Sequence, residues 1–275
     1  MFNQILILSF IYSTFLLKNC YASYGSPLAQ SMATQELVLQ GQMAFGKYCI
    51  GCHGIKGDGN GPAAPFLNPK PRNFTTGIFK FRSSPLGALP SDEDLMDTLR
   101  QGVAGTSMPS YLFVPERERF AMIEYIKTFS DKWKDPTQFG VKVSFEPLNP
   151  GDFTDNKIFI ERAKKGQLIY KEACMTCHGV RGEGNGPGAV DLKNDWDEKI
   201  APANLRLLTI KRGKSVNKIY EAILLGVNGT PMPAFKDAYT DQQLQDLTAY
   251  ILYFRGDEAG LYPSHPIENL KQEEN

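Results

Sequence analysis

The sequence predicts an all-α protein built from two tandem helical domains, and three observations lead to that class. A fifteen-residue phrase, "CIGCHGIKGDGNGPA" from Cys49, returns as "CMTCHGVRGEGNGPG" from Cys174. The similarity extends well beyond the phrase at one nearly fixed spacing. Apolar residues on either side of each copy recur every three or four positions, the period of a helix with one buried face.

The repeat sets the organisation. Gly41, Phe45, Cys49, Cys52 and His53 correspond to Gly166, Tyr170, Cys174, Cys177 and His178 at an offset of 125. "GVAGTSMPSY" (Gly102–Tyr111) answers "GVNGTPMPAF" (Gly226–Phe235) at 124, and "MIEYIKTF" (Met122–Phe129) answers "LTAYILYF" (Leu247–Phe254) at 125. A period this long belongs to a duplicated domain rather than a solenoid. The chain therefore divides into 1–22, a signal peptide; 23–130, the first domain; 131–154, a linker; 155–256, the second domain; and 257–275, a polar tail.

Each element has a local cause. "TQELVLQGQMAFGKY" places Leu37, Gly41, Ala44, Phe45 and Tyr48 on one helical face, with Thr34 as the expected cap; "DNKIFIERAKKGQLIYKEA" is its partner. "SDEDLMDTLRQG" opens with Ser-x-x-Asp, puts Leu95 and Leu99 on one face and stops at Gly102; "SVNKIYEAILLG" stops at Gly226. "PERERFAMIEYIKTF" begins with Pro115 and two acidic residues at the positive end of a helix, and "TDQQLQDLTAYILYF" begins with Thr240 as cap. The Gly- and Pro-rich stretches 57–71 and 182–202 are long enough to wrap a bound group. "GVKVSF" (Gly140–Phe145) reads as a short extended piece within the linker.

Composition excludes some partners. The 275 residues carry 30 basic and 30 acidic side chains, and the two signs nearly balance within each half, ten to nine over 23–130 and nineteen to twenty-one over 131–275, so neither nucleic acid nor an anionic membrane surface is expected. "ILILSFIYSTFLL" (Ile5–Leu17) is an uncharged run of thirteen residues, shorter than the roughly 20 of a membrane-spanning helix. Followed by "CYAS", it reads as a secretory signal cleaved after Ala22, although the leading residues include no Lys or Arg. An uncleaved anchor is the alternative. The expected location is extracytoplasmic, periplasmic or its equivalent.

Beyond Cys20, all four cysteines lie in the repeated phrase. A Cys-x-x-Cys disulfide closes too short a loop to stabilise much. A zinc site would draw on the same residue types, but adjacent Cys52 and His53 do not easily share one tetrahedral ion. A redox dithiol would lack its usual βαβ setting. Cys-x-x-Cys-His is also the signature of covalent c-type haem: two thiols form thioethers with the vinyl groups, and the next histidine binds the iron. Two copies with identical downstream glycine spacing favour this reading, with two covalently bound haem c groups. Cys49 and Cys52 attach the first and Cys174 and Cys177 the second, with His53 and His178 as iron ligands. Of the seven methionines after residue 22, only Met108 and Met232 stand in "GT-S/P-MP" settings, 55 and 54 residues after their histidines. The following proline disfavours helix there, which suits a ligand carried on an extended loop. Met108 and Met232 are the expected sixth ligands.

Each half resembles a class I, mitochondrial-type cytochrome c domain, and the whole resembles a tandem dihaem cytochrome c with long haem-wrapping loops. The resemblance covers about 35–129 and 155–254. It implies that Gly41 and Gly166 let the first helix of each domain cross the last closely, with Phe45, Tyr170, Tyr125 and Tyr250 packed at the crossing. In "PKPRNFTTGIFKFR" (Pro69–Arg82), Arg72 is the candidate for a haem propionate. Arg206 is its displaced counterpart, and His265 in the tail is expected to be exposed.

The expected function is single-electron transfer between exported redox proteins through two His/Met-ligated haems, with no small-molecule substrate and no catalytic residues. The alternatives are a dihaem peroxidase, which needs one iron free of its sixth ligand, and a fixed cytochrome subunit of a larger periplasmic oxidoreductase or respiratory complex. The apolar lips "SMPSYLF" and "PMPAF", with Tyr111 and Phe235, are expected docking faces.

Overall fold

The first helix, α1 (Pro27–Tyr48), begins seven residues before Thr34, so Thr34 lies inside it and does not cap it. "PLAQSMA" contains good helix formers behind a proline at the first position, and nothing there stops the helix. The structure, a computed structural model, describes residues 27–146, 148–149, 151–207, 211 and 215–254. The expected signal segment, the tail and His265 lie outside these residues.

A one-turn helix α2 (Ile50–His53) carries the end of the first motif. It is followed by a long loop, then α3 (Asp92–Gln101) and α4 (Glu116–Lys127). The second half repeats the order. A short α5 (Gly151–Thr154) precedes α6 (Asn156–Ala173), α7 (Met175–His178), α8 (Val216–Leu225) and α9 (Asp241–Tyr253). The end signals act as the sequence suggests. Ser91 and Asp94 form a capping box on α3, Thr240 and Gln243 form another on α9, and Gly102 and Gly226 end α3 and α8 at φ 67°. Pro115 falls one position outside α4, as its cap residue. Among the described residues there are two isolated β-bridges and no strand; "GVKVSF" has no ladder.

In each half the first helix crosses the last, α1 on α4 and α6 on α9. Glycine makes the crossings close. A Cβ on Gly41 would sit 1.9 Å from the Ala121 carbonyl oxygen, and one on Gly166 2.0 Å from that of Asp246. Aromatic rings pack beside the crossings: Phe45 meets Tyr125 at 5.4 Å and Phe129 at 5.3 Å, and Tyr170 meets Tyr250 at 5.2 Å and Phe254 at 5.1 Å. Each half has its own core, and each core includes the first cysteine of its motif.

Segment 131–154 touches both halves at several of its described residues. Trp133 lies against Phe79, Val143 donates its N–H to the Ser83 carbonyl, Phe145 packs on Tyr220, and Leu148 and Phe153 are buried in the second core. The halves also touch directly. Arg82 is fully buried and donates to the carbonyls of Pro85 (2.9 Å), Leu225 (2.7 Å) and Gly226 (3.4 Å), so a cation of the first half sits at the negative end of α8 in the second. Gly87 N–H donates to Asn228 Oδ1, and Asn228 Nδ2 donates to the Ala88 carbonyl.

Candidate haem sites

The first motif is a helical turn bent back by glycine. Cys49 N–H closes α1 on the Phe45 carbonyl, His53 N–H bonds the Cys49 carbonyl, and Gly54 at φ 75° turns the chain out. The second motif has the same bonds at Tyr170, Cys174 and Gly179 (φ 79°). Gly61 N–H then returns to the Cys52 carbonyl, and Gly186 N–H to that of Cys177. The glycine spacing shared by the two copies is therefore the spacing of one loop fold, made twice.

This turn brings the expected residues together. Cys49, Cys52, His53 and Met108 line one cleft, whose empty space, counting the open mouth, is about 1210 Å³. Phe74, Phe79, Leu95, Leu99 and Ile126 supply much of its apolar wall. Such a cleft, lined mainly by apolar side chains with a few convergent polar groups, suits a flat prosthetic group.

Each histidine ring is oriented by a backbone carbonyl. His53 Nδ1 lies 2.9 Å from the Arg72 carbonyl, and His178 Nδ1 lies 3.0 Å from that of Ala203. A carbonyl only accepts, so Nδ1 carries the proton and Nε2 keeps the lone pair. Burial lowers the pKa of both rings, which favours neutral imidazole, the ligating form. Phe74 stacks on the His53 ring at 4.5 Å and holds its plane.

The cysteines suit thioethers better than thiolates. Burial pushes Cys49 and Cys174 up to about 12, opposite to the lowered pKa of a redox dithiol. A thioether is uncharged and loses nothing by that burial. Among the described residues, no three His, Cys, Asp or Glu side chains gather as a closed zinc site would require.

The two methionine loops share one hydrogen-bond frame. In the first, Val103 N–H bonds the Met108 carbonyl at 3.0 Å, Thr106 Oγ1 donates to the Val103 carbonyl at 2.8 Å, and Met108 N–H donates to Thr106 Oγ1 at 3.1 Å. In the second, Val227 and Met232, Thr230 and Val227, and Met232 and Thr230 repeat these bonds at 3.2, 2.8 and 3.2 Å. The threonine ties the loop into a fixed turn, which explains why it precedes each methionine by two positions.

The expected docking lips divide differently. Phe235 is buried, and Tyr111 is half-buried and donates its hydroxyl to the Tyr48 carbonyl at 3.0 Å. Leu112 and Phe113 are the exposed apolar residues of the first lip.

Arg72 lines the first cleft, and its guanidinium lies over the Trp196 ring at 4.5 Å, a contact made across the two halves. The sequence reading missed Phe74, Lys80 and Trp196. Phe74 and Lys80 stand in the basic, aromatic stretch around Arg72, which was a usable signal; Trp196 stands in a loop with no counterpart in the first half and had none.

Residues 38–130 match the family model for Cytochrome c, and residues 163–254 match it again. The chain belongs to the cytochrome c family. Among solved structures it is similar to a chain of the Kuenenia stuttgartiensis reducing HAO-like protein complex Kustc0457/Kustc0458, at 35% identity and a TM-score of 0.71, over 78% of this chain and 95% of that one. Among curated proteins nothing matches it. The two family matches fall on the two helical halves, so this cytochrome is a tandem, all-α protein with one cytochrome c domain in each. No helix among the described residues is long and apolar enough to cross a membrane.

Proposed function

We propose that this cytochrome c carries single electrons between protein partners through two covalent haems. The observation that carries the reading is the convergence of Cys49, Cys52, His53 and Met108 on one apolar cleft, with the same local frame repeated at Cys174, Cys177, His178 and Met232. Haem supplies a one-electron ferric/ferrous couple. The cysteines hold it by thioether bonds. His53 and His178 would hold the iron through Nε2, and the carbonyls of Arg72 and Ala203 keep each ring in the ligating tautomer. Met108 and Met232 would offer thioether sulfur as a further ligand, on loops fixed by Thr106 and Thr230. Phe74, Phe79, Leu95, Leu99 and Ile126 wall the first site with apolar side chains. The matching methionine frames would give both irons the same ligand pair and disfavour a peroxidase, which would need one loop built to let go. Thioether attachment belongs outside the cytoplasm, in keeping with an exported protein.

The likeness to a chain of a protein complex favours a specific setting, in which this cytochrome is a bound subunit delivering electrons to or from a larger oxidoreductase. Two measurements test the reading. Intact mass counts the haems, and a redox-poised optical titration reports the methionine–iron charge-transfer band. A mass short of two haems, or a high-spin ferric spectrum that turns over peroxide, overturns it. A lone monomer from its native source removes the subunit setting and leaves the carrier.

A further inference from the structure

The first cleft is electrically one-sided. Lys70, Arg72, Lys80 and Lys211 line it, and among the described residues no carboxylate does. Lys80 is half-buried; burial lowers its pKa to about 8, and the charges of Arg72 and Lys211 add to the effect. Arg72 is brought down to about 10, chiefly by burial. Asp195 and Glu198 attract Arg72 but stand outside the lining. Arg72 and Lys80, both half-buried, are costly to desolvate unless an anion joins them, while Lys70 and Lys211 stay exposed.

Lys211 belongs to the second half, and so does Trp196, the platform under Arg72. Trp196 stands on an insertion. Gly59 faces the Pro71 carbonyl as Gly184 faces that of Pro202, yet the first pair of glycines differs by 184 − 59 = 125 and the pair of prolines by 202 − 71 = 131. The second loop is thus 131 − 125 = 6 residues longer. The longer loop contains Asp195, Trp196 and Glu198, and the Trp196 indole also packs on Gly229, in the turn that leads to Met232.

We propose that the cationic end of the first cleft is a dicarboxylate site shared by the two halves, in which Lys80 and Lys211 join Arg72 around the propionates of the first haem. This rests on the haem reading above. It makes the second domain part of the first domain's cofactor site: Lys211 supplies charge there, and Trp196 holds the Arg72 guanidinium in place. The second site's counterpart to Arg72, judged by the histidine bond, is Ala203.

The test uses the haem-loaded protein and reads both midpoint potentials. Lys211→Gln and Lys80→Gln each remove one positive charge. Reduction adds an electron, so losing a cation favours the ferric state. Each variant should lower the first haem's ferrous-to-ferric ratio at fixed poise about tenfold, or 59 mV for a one-electron couple. The second haem should not move. Met108→His identifies the first haem's wave, and Lys211→Arg, which keeps the charge, should restore it. Intact mass is taken on every sample. A missing haem in the parent protein defeats the underlying reading. Two haems with unmoved midpoints in both glutamine variants, or an equal shift of both waves, overturns the shared site and leaves the haem reading standing.

Discussion

Replacing Gly41 by alanine tests the link between the helix crossing and the haem site. The new Cβ would meet the Ala121 carbonyl oxygen at 1.9 Å and Tyr125 Cβ at 2.9 Å, where ordinary contact begins at 3.4 Å, a shortfall of 3.4 − 1.9 = 1.5 Å. The obstacle is helix backbone, which cannot rotate away, so α1 and α4 must separate. Overpacking of this kind costs about 3 kcal/mol or more. Alanine's better helix propensity returns about 1 kcal/mol, leaving a net loss of about 2 kcal/mol. The loss should reach the site, because Met122, next to Ala121, lies 3.9 Å from the Cys49 sulfur. Gly46 is the internal control. It lies on the same helix with nothing within 4 Å of a new Cβ, so Gly46→Ala should stabilise by about 0.5–1 kcal/mol. Denaturant titration of the haem-loaded variants, followed at the methionine–iron band, measures both effects. Equal stability of the two alanine variants would refute the crossing argument.

Further predictions concern the ligands, the domain seam and alkaline pH. Met108→Ala and Met232→Ala should each keep two haems by mass and lose about half the methionine–iron band; full retention in either would remove that methionine as a ligand. Arg82→Gln leaves the carbonyls of Pro85 and Leu225 without their buried donor, at about 1–3 kcal/mol each, so it should destabilise by about 2–6 kcal/mol in denaturant. Arg82→Lys should restore little, since an ammonium does not reproduce the guanidinium fork. Burial, then the bond to Asp241, raises the pKa of the Tyr220 hydroxyl above its ordinary value of about 10. The folded state then holds its proton longer than the unfolded chain, so this contribution is complete below pH ~10 and is lost as pH rises beyond it. Tyr220→Phe should flatten the alkaline decline of stability above pH ~10; an unchanged slope in pH-dependent unfolding would count against the shift.

Much of this cytochrome was decided locally, and so was open to sequence reading. Glycine stops, Ser and Thr caps and the 3.6-residue apolar period act over a few residues, and they place α3, α4, α8 and α9 almost as built. The Cys-x-x-Cys-His turn and the Thr-x-Met-Pro loop are self-contained hydrogen-bond units, so their duplication alone revealed both candidate sites. The start of α1 was misplaced because Thr34 is an adequate helix residue as well as a good cap, and only the structure shows the helix running on to Pro27. Phe235 seemed a surface lip because an apolar residue after a loop looks alike whether or not something covers it; the second core does cover it. What no local pattern carried was the seam. Arg82 on the α8 carbonyls, Trp196 under Arg72 and Lys211 at the first cleft join residues more than a hundred positions apart. The sequence by itself determined two like domains, each with its Cys-x-x-Cys-His turn and methionine loop, because each is held by short-range bonds written twice. Only the tertiary structure decided how the domains lean on one another, because the contacts at the seam come from the packing of one copy against the other.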